Sequence, residues 1–218
     1  RDRGSARQDP AAARRVSAPR QASRPQGWNH NLHYREPILE QVNPAMRTAL
    51  DVGCGEGELA EALSVRGLSV TGLDVSGDVL AVAQKRGCDV TWVQGDVLGG
   101  SLEGEQFDLV TAVASIHHLP DFGDALAHLT ELVTPGGKLV VLGLGKSSTP
   151  MDWAYDAIGA VQHRWYSRYC GYVEGSAPKC FDVPTTYRWI RREAAAVLSG
   201  CAFRRLPLFR YLLVWSKS

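Results

Sequence analysis

The chain lacks any apolar run approaching the roughly 20 residues that span a bilayer. It also lacks an excess of either charge. Its 24 Lys and Arg residues face 23 Asp and Glu, for a formal net charge of +1 over 218 residues. That balance gives no overall electrostatic case for a nucleic-acid or membrane partner. No Cys-x-x-Cys pair occurs. The five cysteines are Cys54, Cys88, Cys170, Cys180 and Cys201, odd in number and scattered. This argues against a disulfide framework or a structural zinc site, and for the reducing cytoplasm. What remains is an ordinary globular composition, long enough for one α/β domain and too short for two.

Residues 1–26 stand apart. Arg1, Arg3, Arg7, Arg14, Arg15, Arg20 and Arg24 are set among Ala, Ser, Pro and Gln, against only Asp2 and Asp9. With no apolar period, the segment reads as a flexible basic tail. The domain itself is expected over 27–218. It opens with an aromatic and polar run, Trp28-Asn29-His30-Asn31-Leu32-His33-Tyr34. Pro37, Ile38, Leu39, Val42 and Met46 then suggest a cap helix within 27–47.

From there strand and helix patterns alternate. Expected strands are Thr48–Val52, Ser69–Asp74, Val90–Gln94, Phe107–Ala112 and Gly137–Leu144. Expected helices are Glu58–Val65, Gly77–Arg86, Phe122–Leu132 and Thr185–Leu198. Alternation of this kind means a parallel sheet. Two last strands, Phe203–Leu206 and Phe209–Trp215, are joined too tightly to be parallel. The expected fold is α/β: a doubly wound, seven-stranded, mostly parallel sheet closed by a C-terminal antiparallel hairpin, with helices on both faces. Residues 146–184 form a long aromatic insertion before the last helix, and read as a lid over the carboxyl edge of the sheet.

The most informative stretch is Ala49-Leu50-Asp51-Val52-Gly53-Cys54-Gly55-Glu56-Gly57. An apolar strand ends in a carboxylate, then glycines at alternate positions lead into a helix. Glycine permits positive φ and a close approach of backbone to ligand. Strand, glycine turn and helix open a nucleotide-binding α/β unit. The spacing is one residue short of the dinucleotide Gly-x-Gly-x-x-Gly, and no Tyr-x-x-x-Lys appears, which disfavours a dinucleotide oxidoreductase. Nothing near Cys54 supplies a base, so it reads as a small loop residue. Asp74 ends the second strand about 20 residues beyond the turn, where a carboxylate accepts from ribose hydroxyls. A helix cap is the competing reading for Asp74, with Ser76 as the other candidate cap.

With Asp51, the glycine run resembles the first motif of the class I S-adenosylmethionine-dependent methyltransferases. Gly95-Asp96-Val97, the segment Phe107–Asp121 and Leu132-Val133-Thr134-Pro135-Gly136-Gly137-Lys138-Leu139 resemble its later motifs, in order, over about residues 48–145. The small-molecule branch of the family is the better match. The resemblance implies S-adenosylmethionine as methyl donor and S-adenosylhomocysteine as product. It implies a cofactor site at Tyr34, Asp51, Gly53, Cys54, Gly55, Gly57, Asp74, Val75, Asp96, Val97 and Val113. Asp96 would sit beside the adenine amino group, between the apolar walls of Val75 and Val97. Tyr34 would reach the cofactor carboxylate. No Asn/Asp-Pro-Pro-aromatic box follows strand four, and the magnesium-binding cluster of catechol methyltransferases is missing, so no metal is expected.

A hydroxyl acceptor needs a base. His33, His117 and His118 are the catalytic candidates, the last two at the carboxyl end of strand four, where open α/β sheets bind ligands. His128 falls within a helix and reads as surface. Trp28, His30, Trp153, Tyr155, His163 and Tyr166 are the substrate candidates, implying a flat or apolar acceptor. The expected reaction is methyl transfer to an O, N or C nucleophile of a small molecule, of the kind found in bacterial secondary metabolism, by a monomer or homodimer. Two alternatives stand beside it. Arg164, Arg168, Lys179, Arg188, Arg191 and Arg192 could receive a peptide or protein carboxylate, or the fold could bind the cofactor without methylating.

Overall fold

The computed structural model describes residues 27–173 and 184–218. The basic tail expected over 1–26 lies outside them, as do Lys179, Cys180 and the end of the lid insertion.

Seven strands form one sheet: β1 (Thr48–Val52), β2 (Ser69–Asp74), β3 (Val90–Gln94), β4 (Phe107–Val113), β5 (Val133–Gly143), β6 (Ala202–Leu206) and β7 (Arg210–Ser216). Their order is β3-β2-β1-β4-β5-β7-β6. β1 to β5 pair in parallel, while β7 is antiparallel to both β5 and β6. The strand order reverses at β1 and β4, whose carboxyl ends therefore open the crevice where such sheets bind ligands.

Alternate residues along each central strand feed two cores. Leu50, Val52, Leu139 and Val141 join one cluster with the helices α5 (Phe122–Glu131) and α7 (Tyr187–Val197). Ala49, Val140 and Leu142 join the other, with Ile38 and Leu39 of α2 (Arg35–Leu39) and Leu59 and Leu63 of α3 (Glu58–Val65). The side-chain period of two splits each strand in this way, so a sheet covered on both faces is apolar at most positions. On one face α2 packs against α3, and α5 packs against α7 on the other. The helix α4 (Gly77–Gln84) completes the β2–β3 crossover.

Two expected elements differ. The single cap helix is two short ones, α1 (His30–His33) and α2, separated by Tyr34. Asn29 caps α1, its Oδ1 accepting from the Asn31 and Leu32 amides. The helix stops short of Val42 and Met46 because Asn43-Pro44 turns the chain, with Asn43 Oδ1 accepting from the Ala45 amide. β5 starts at Val133 rather than Gly137, because Val133 already pairs with Phe107 before a register shift at Pro135-Gly136-Gly137.

The lid insertion carries a 17-residue helix, α6 (Pro150–Tyr166). Thr149 and Asp152 form a capping box at its start, and Pro150 occupies the first turn, where a missing N–H costs nothing. A π-helical turn, Ser167–Gly171, ends it. Its end is tied to the N-terminal segment: Trp28 N–H donates to the Gly171 carbonyl (2.8 Å), and Val173 N–H to that of Trp28 (2.9 Å). Gly159 lets α6 approach the β6–β7 turn, where a Cβ would stand 2.7 Å from the Leu208 nitrogen. Arg205 bolts the two together, with Nη2 2.6 Å from Asp156 Oδ1 and its guanidinium 3.7 Å over the Tyr187 ring.

Candidate active site

A cavity of about 1270 Å³ opens over the carboxyl ends of β1, β2 and β4. One drug-sized ligand fills roughly 300–1,000 Å³, so this space accommodates two reactants together.

The glycine turn forms its floor. Gly53, Gly55 and Gly57 have φ of 68°, 55° and 79°, in the left-handed region. Their tasks differ. A Cβ on Gly53 would stand 2.4 Å from Ser115 Cβ, and one on Gly57 would stand 2.4 Å from Trp92 Cη2. Those two glycines allow the turn to pack. A Cβ on Gly55 would meet no protein atom within 4 Å, and Gly55 lines the cavity. That bare backbone is a cradle for a ligand.

Acidic groups surround the turn. Asp74 lines the cavity at the end of β2, its Oδ2 accepting from the Gly55 amide (3.0 Å) and its Oδ1 from the Ser76 amide (2.9 Å). Capping of α4 falls to Ser76, whose Oγ accepts from the Val79 amide. Asp74 is therefore fixed by backbone with further lone pairs to offer. Asp96 Oδ1 accepts from the Leu98 amide in a local turn, and Asp96 also faces the cavity. Asp51 is 2 % exposed and receives Thr111 Oγ1 at 2.9 Å. Burial, then the nearby Asp74, pushes its carboxyl up to about 7 against the pull of the Thr111 bond. Cys54 lines the floor, but burial and then Asp51 and Asp74 push its thiol far above the usual range, away from nucleophilic thiolate chemistry. Cys54, Cys88, Cys170 and Cys201 are all free thiols.

Val75, Val97 and Val113 also line the cavity. Beyond β4, Ala114 adopts φ 50°, a strained value for a residue with a Cβ. It launches Ser115, whose Oγ donates to the Val52 carbonyl (2.7 Å), and the 3₁₀ turn Ile116–His118. His117 and His118 line the cavity, their ring centroids 4.1 Å apart. Burial, then His118 and Arg210, lowers His117 to about 4, and its Nδ1 has no hydrogen-bond partner.

Across the cavity stand His30 and His163, both lining it. His163 Nδ1 and His30 Nε2 are 3.2 Å apart, and the rings are stacked. Burial, then Arg210, His163 and His33, lowers His30 to about 4.

Several expected site residues stand off the cavity wall. Tyr34 is buried, with its hydroxyl donating to the Pro207 carbonyl at 2.6 Å rather than reaching a ligand. Trp28 Nε1 donates to His33 Nδ1 (3.3 Å), and the Trp28 ring stacks on Tyr166 at 5.0 Å. Trp28, His33 and Tyr166 thus brace the lid from behind. Trp153 is 60 % exposed, and Tyr155 lies beneath the Arg205 guanidinium. The aromatic lining expected of α6 is largely outward, because its inner face is taken up by Gly159 and the Arg205 contacts. Gly57 serves Trp92, as described. His128, read as a surface residue, is half-buried and bonds the Val97 carbonyl through Nε2 (2.9 Å).

The sequence reading passed over Asn31, Arg35, Lys146, Phe209 and Arg210, all on the cavity wall. Arg210 is 8 % exposed and opens β7. Its Nε and Nη2 donate to Asn31 Oδ1 (3.3 and 3.0 Å). It sits there because Leu208 and Phe209 take left-handed φ values of 54° and 62° in the hairpin turn. Positive φ at two central residues is what a tight hairpin turn demands, and the sequence, with no glycine there, does not display it. Arg164, Arg168, Arg188, Arg191 and Arg192 are exposed and none lines the cavity, which is the pattern of a solvated basic face.

Residues 50–141 match the family model described as methyltransferase domain. An uncharacterised methyltransferase of Mycobacterium tuberculosis is 35 % identical over 192 residues, covering 87 % of this chain and 97 % of that one. A ubiquinone biosynthesis O-methyltransferase of Pseudomonas fluorescens is 36 % identical over 129 residues, 56 % of this chain and 54 % of its own. Among solved structures, an amino pentose methyltransferase from Micromonospora echinaspora, with S-adenosylmethionine bound, superposes with TM-score 0.58 at 21 % identity. It matches 86 % of this chain and 90 % of its own. The magnesium protoporphyrin IX methyltransferase of Synechocystis, with S-adenosylhomocysteine bound, gives TM-score 0.55 at 16 % identity, over 86 % of this chain and 82 % of its own.

The fold is that of class I methyltransferases. The chain belongs to the class I S-adenosylmethionine-dependent methyltransferase family.

Proposed function

We propose that this chain methylates a hydroxyl oxygen of a small molecule, with the His30–His163 pair as proton acceptor. The observation that carries the reading is this pair, facing the glycine cradle across one cavity. Its match to a ubiquinone biosynthesis O-methyltransferase supports transfer to oxygen.

S-adenosylmethionine supplies a methyl group already activated by its sulfonium charge. Gly55 would leave room for it, Asp74 would accept from its ribose hydroxyls, and Asp96 with Val75 and Val97 would hold its adenine. The acidic surroundings of Asp51 and Asp74 favour a cationic donor over its neutral product. The protein's remaining work is to hold the acceptor in line, exclude water and take a proton. His30 is neutral well below pH 7, so its ring is available to accept that proton, and His163 holds the ring in place through their contact. His117, with its free Nδ1, can orient the acceptor from the β4 side.

The acceptor is a small molecule, of the kind made in bacterial secondary metabolism. The enzyme works in the cytoplasm, in keeping with its free cysteines, as a monomer or homodimer. No helix of the described residues is long and apolar enough to cross a membrane.

Calorimetric titration of S-adenosylhomocysteine into wild type and Asp74→Ala tests the donor site. Tight binding weakened at least ~10-fold by the substitution is expected, from loss of hydrogen bonds to a charged group. Equal affinity in the two proteins would sink the placement of the ribose.

A further inference from the structure

We propose that the methyl acceptor carries a carboxylate, received by Arg210. The inference rests on the methyl-transfer reading of the cavity and names a property of the acceptor.

The cavity is divided by charge. Its acidic residues, Asp51, Glu56, Glu58, Asp74 and Asp96, all belong to the β1–β3 half. On the β4–β5–β7 half the lining contains Arg210, Lys146 and histidines, with no carboxylate among the described residues. A cationic sulfonium and its amino group suit the first half. The second half is built for a negative group.

Arg210 is the focus of that half. It is more than nine-tenths buried, yet its hydrogen-bond acceptors, Asn31 Oδ1 and the Phe209 carbonyl, are neutral. Among the described residues no carboxylate pairs with it. A buried guanidinium without a counter-ion is costly, and is retained where a ligand supplies the missing charge. The bonds to Asn31 and Phe209 use one hydrogen on each guanidinium nitrogen, leaving one on each Nη. Those two form the fork that fits a carboxylate in a bidentate pair. The positive charge is felt on both sides of the acceptor space, since Arg210 lowers His30 and His117 alike.

The other arginine on the wall, Arg35, would receive the carboxylate of the cofactor. Arg35 lies on the glycine-turn side, within electrostatic reach of Glu58, and its Nε is buried without a partner. Two cations on opposite sides of one cavity thus answer two anions. Asn31, whose single oxygen holds Arg210 in place, acts as a positioning residue.

The test uses the full chain saturated with S-adenosylhomocysteine, with 4-hydroxybenzoate and its neutral isostere 4-hydroxybenzamide as probes. Binding of each is measured for wild type, Arg210→Met and Arg210→Lys. In wild type the carboxylate should bind at least ~10-fold tighter than the amide, and Arg210→Met should bring the two within ~2-fold. Arg210→Lys keeps the charge without the fork and should retain only part of the preference. Affinity for S-adenosylhomocysteine should change less than ~3-fold in either variant.

No preference in wild type, including no binding of either probe, overturns the proposal. So does a preference that survives Arg210→Met. Loss of S-adenosylhomocysteine binding in a folded Arg210→Met would assign the arginine to the cofactor instead. Should that variant not fold, an undiminished preference in Arg210→Lys is the overturning result. Failure of wild type to bind S-adenosylhomocysteine at all would bring down the donor reading, and is seen in the first titration before any probe is added.

Discussion

His30 and His163 meet nitrogen to nitrogen at 3.2 Å across 133 positions of sequence. One ring comes from the first turn after Asn29 and the other from the lid helix α6. Their contact exists because the N-terminal segment pairs with the end of the lid through Trp28, Gly171 and Val173. The His30–His163 wall of the cavity is therefore assembled from two segments outside the sheet, while the donor side is made of strand ends.

If this pair takes the acceptor proton, His30→Ala and His163→Ala should each lower kcat by roughly 10²–10⁴. S-adenosylhomocysteine affinity should stay within a few-fold, because both rings lie across the cavity from the glycine turn. His33→Ala should lose far less turnover, since its ring faces Trp28 and not the cavity. Turnover indifferent to all three substitutions would point to an acceptor that needs no base, such as a carboxylate taking the methyl itself.

The pH profile gives an independent reading. A base must be unprotonated to act, and burial with the Arg210 charge holds His30 down to about 4, below the ordinary imidazole value of 6.5. The rate should therefore stay level as pH falls from 7 towards 5, where an ordinary histidine would already be losing activity. Arg210→Met removes the Arg210 contribution to that depression, so its acid limb should move to higher pH. An acid limb near 6.5 in wild type, unmoved by Arg210→Met, would exclude His30 as the base.

Gly55 and Gly57 separate ligand space from packing. Gly55→Ala puts a methyl into the cradle, so cofactor affinity should fall at least ~10-fold while stability drops by about 1 kcal/mol for the positive φ. Gly57→Ala drives its methyl against Trp92, 2.4 Å away. It should cost about 1–3 kcal/mol of stability through overpacking, and a Tm drop of several degrees. Calorimetry and thermal unfolding on both variants check the pair. Equal loss of affinity with no difference in stability would contradict the division.

The same contrast explains what could be read from the chain before its fold. Strand bounds such as Thr48–Val52, Ser69–Asp74 and Val90–Gln94 coincide with the structure, because each short run rich in apolar and β-branched residues stops at a turn signal, Gly53, Ser76 or Gly95. The donor-side residues Gly55, Asp74 and Asp96 lie within a few positions of those runs, so their place on the carboxyl edge follows from local spacing. The acceptor side has no such local code. Trp28 and Tyr166 were expected in the site as aromatics of the flanking segments, and Tyr34 through the family resemblance, yet they brace it from behind. Arg210 entered no expectation, for it looks like one more surface arginine until Leu208 and Phe209 turn the hairpin inward. Contacts over 133 or 179 positions, as between His30 and His163 or Asn31 and Arg210, leave no periodic trace.

Asp51 offers a last test, of stability and not of binding. Its folded-state carboxyl is raised from 3.8 to about 7, chiefly by burial. Between those values the unfolded chain has released the proton while the folded protein keeps it. The folded state then binds more protons, so stability falls as pH rises through this window and levels off above 7. The loss from this one group is on the order of 4 kcal/mol, at 1.36 kcal/mol per pKa unit. Asp51→Asn cannot ionise, and its oxygen can still accept from Thr111. The variant should gain on wild type steadily from pH 4 to pH 7 in urea unfolding of the ligand-free protein, and by pH 8 be the more stable of the two relative to their ranking at pH 4. A stability difference that stays constant across that range would show that Asp51 is ionised throughout.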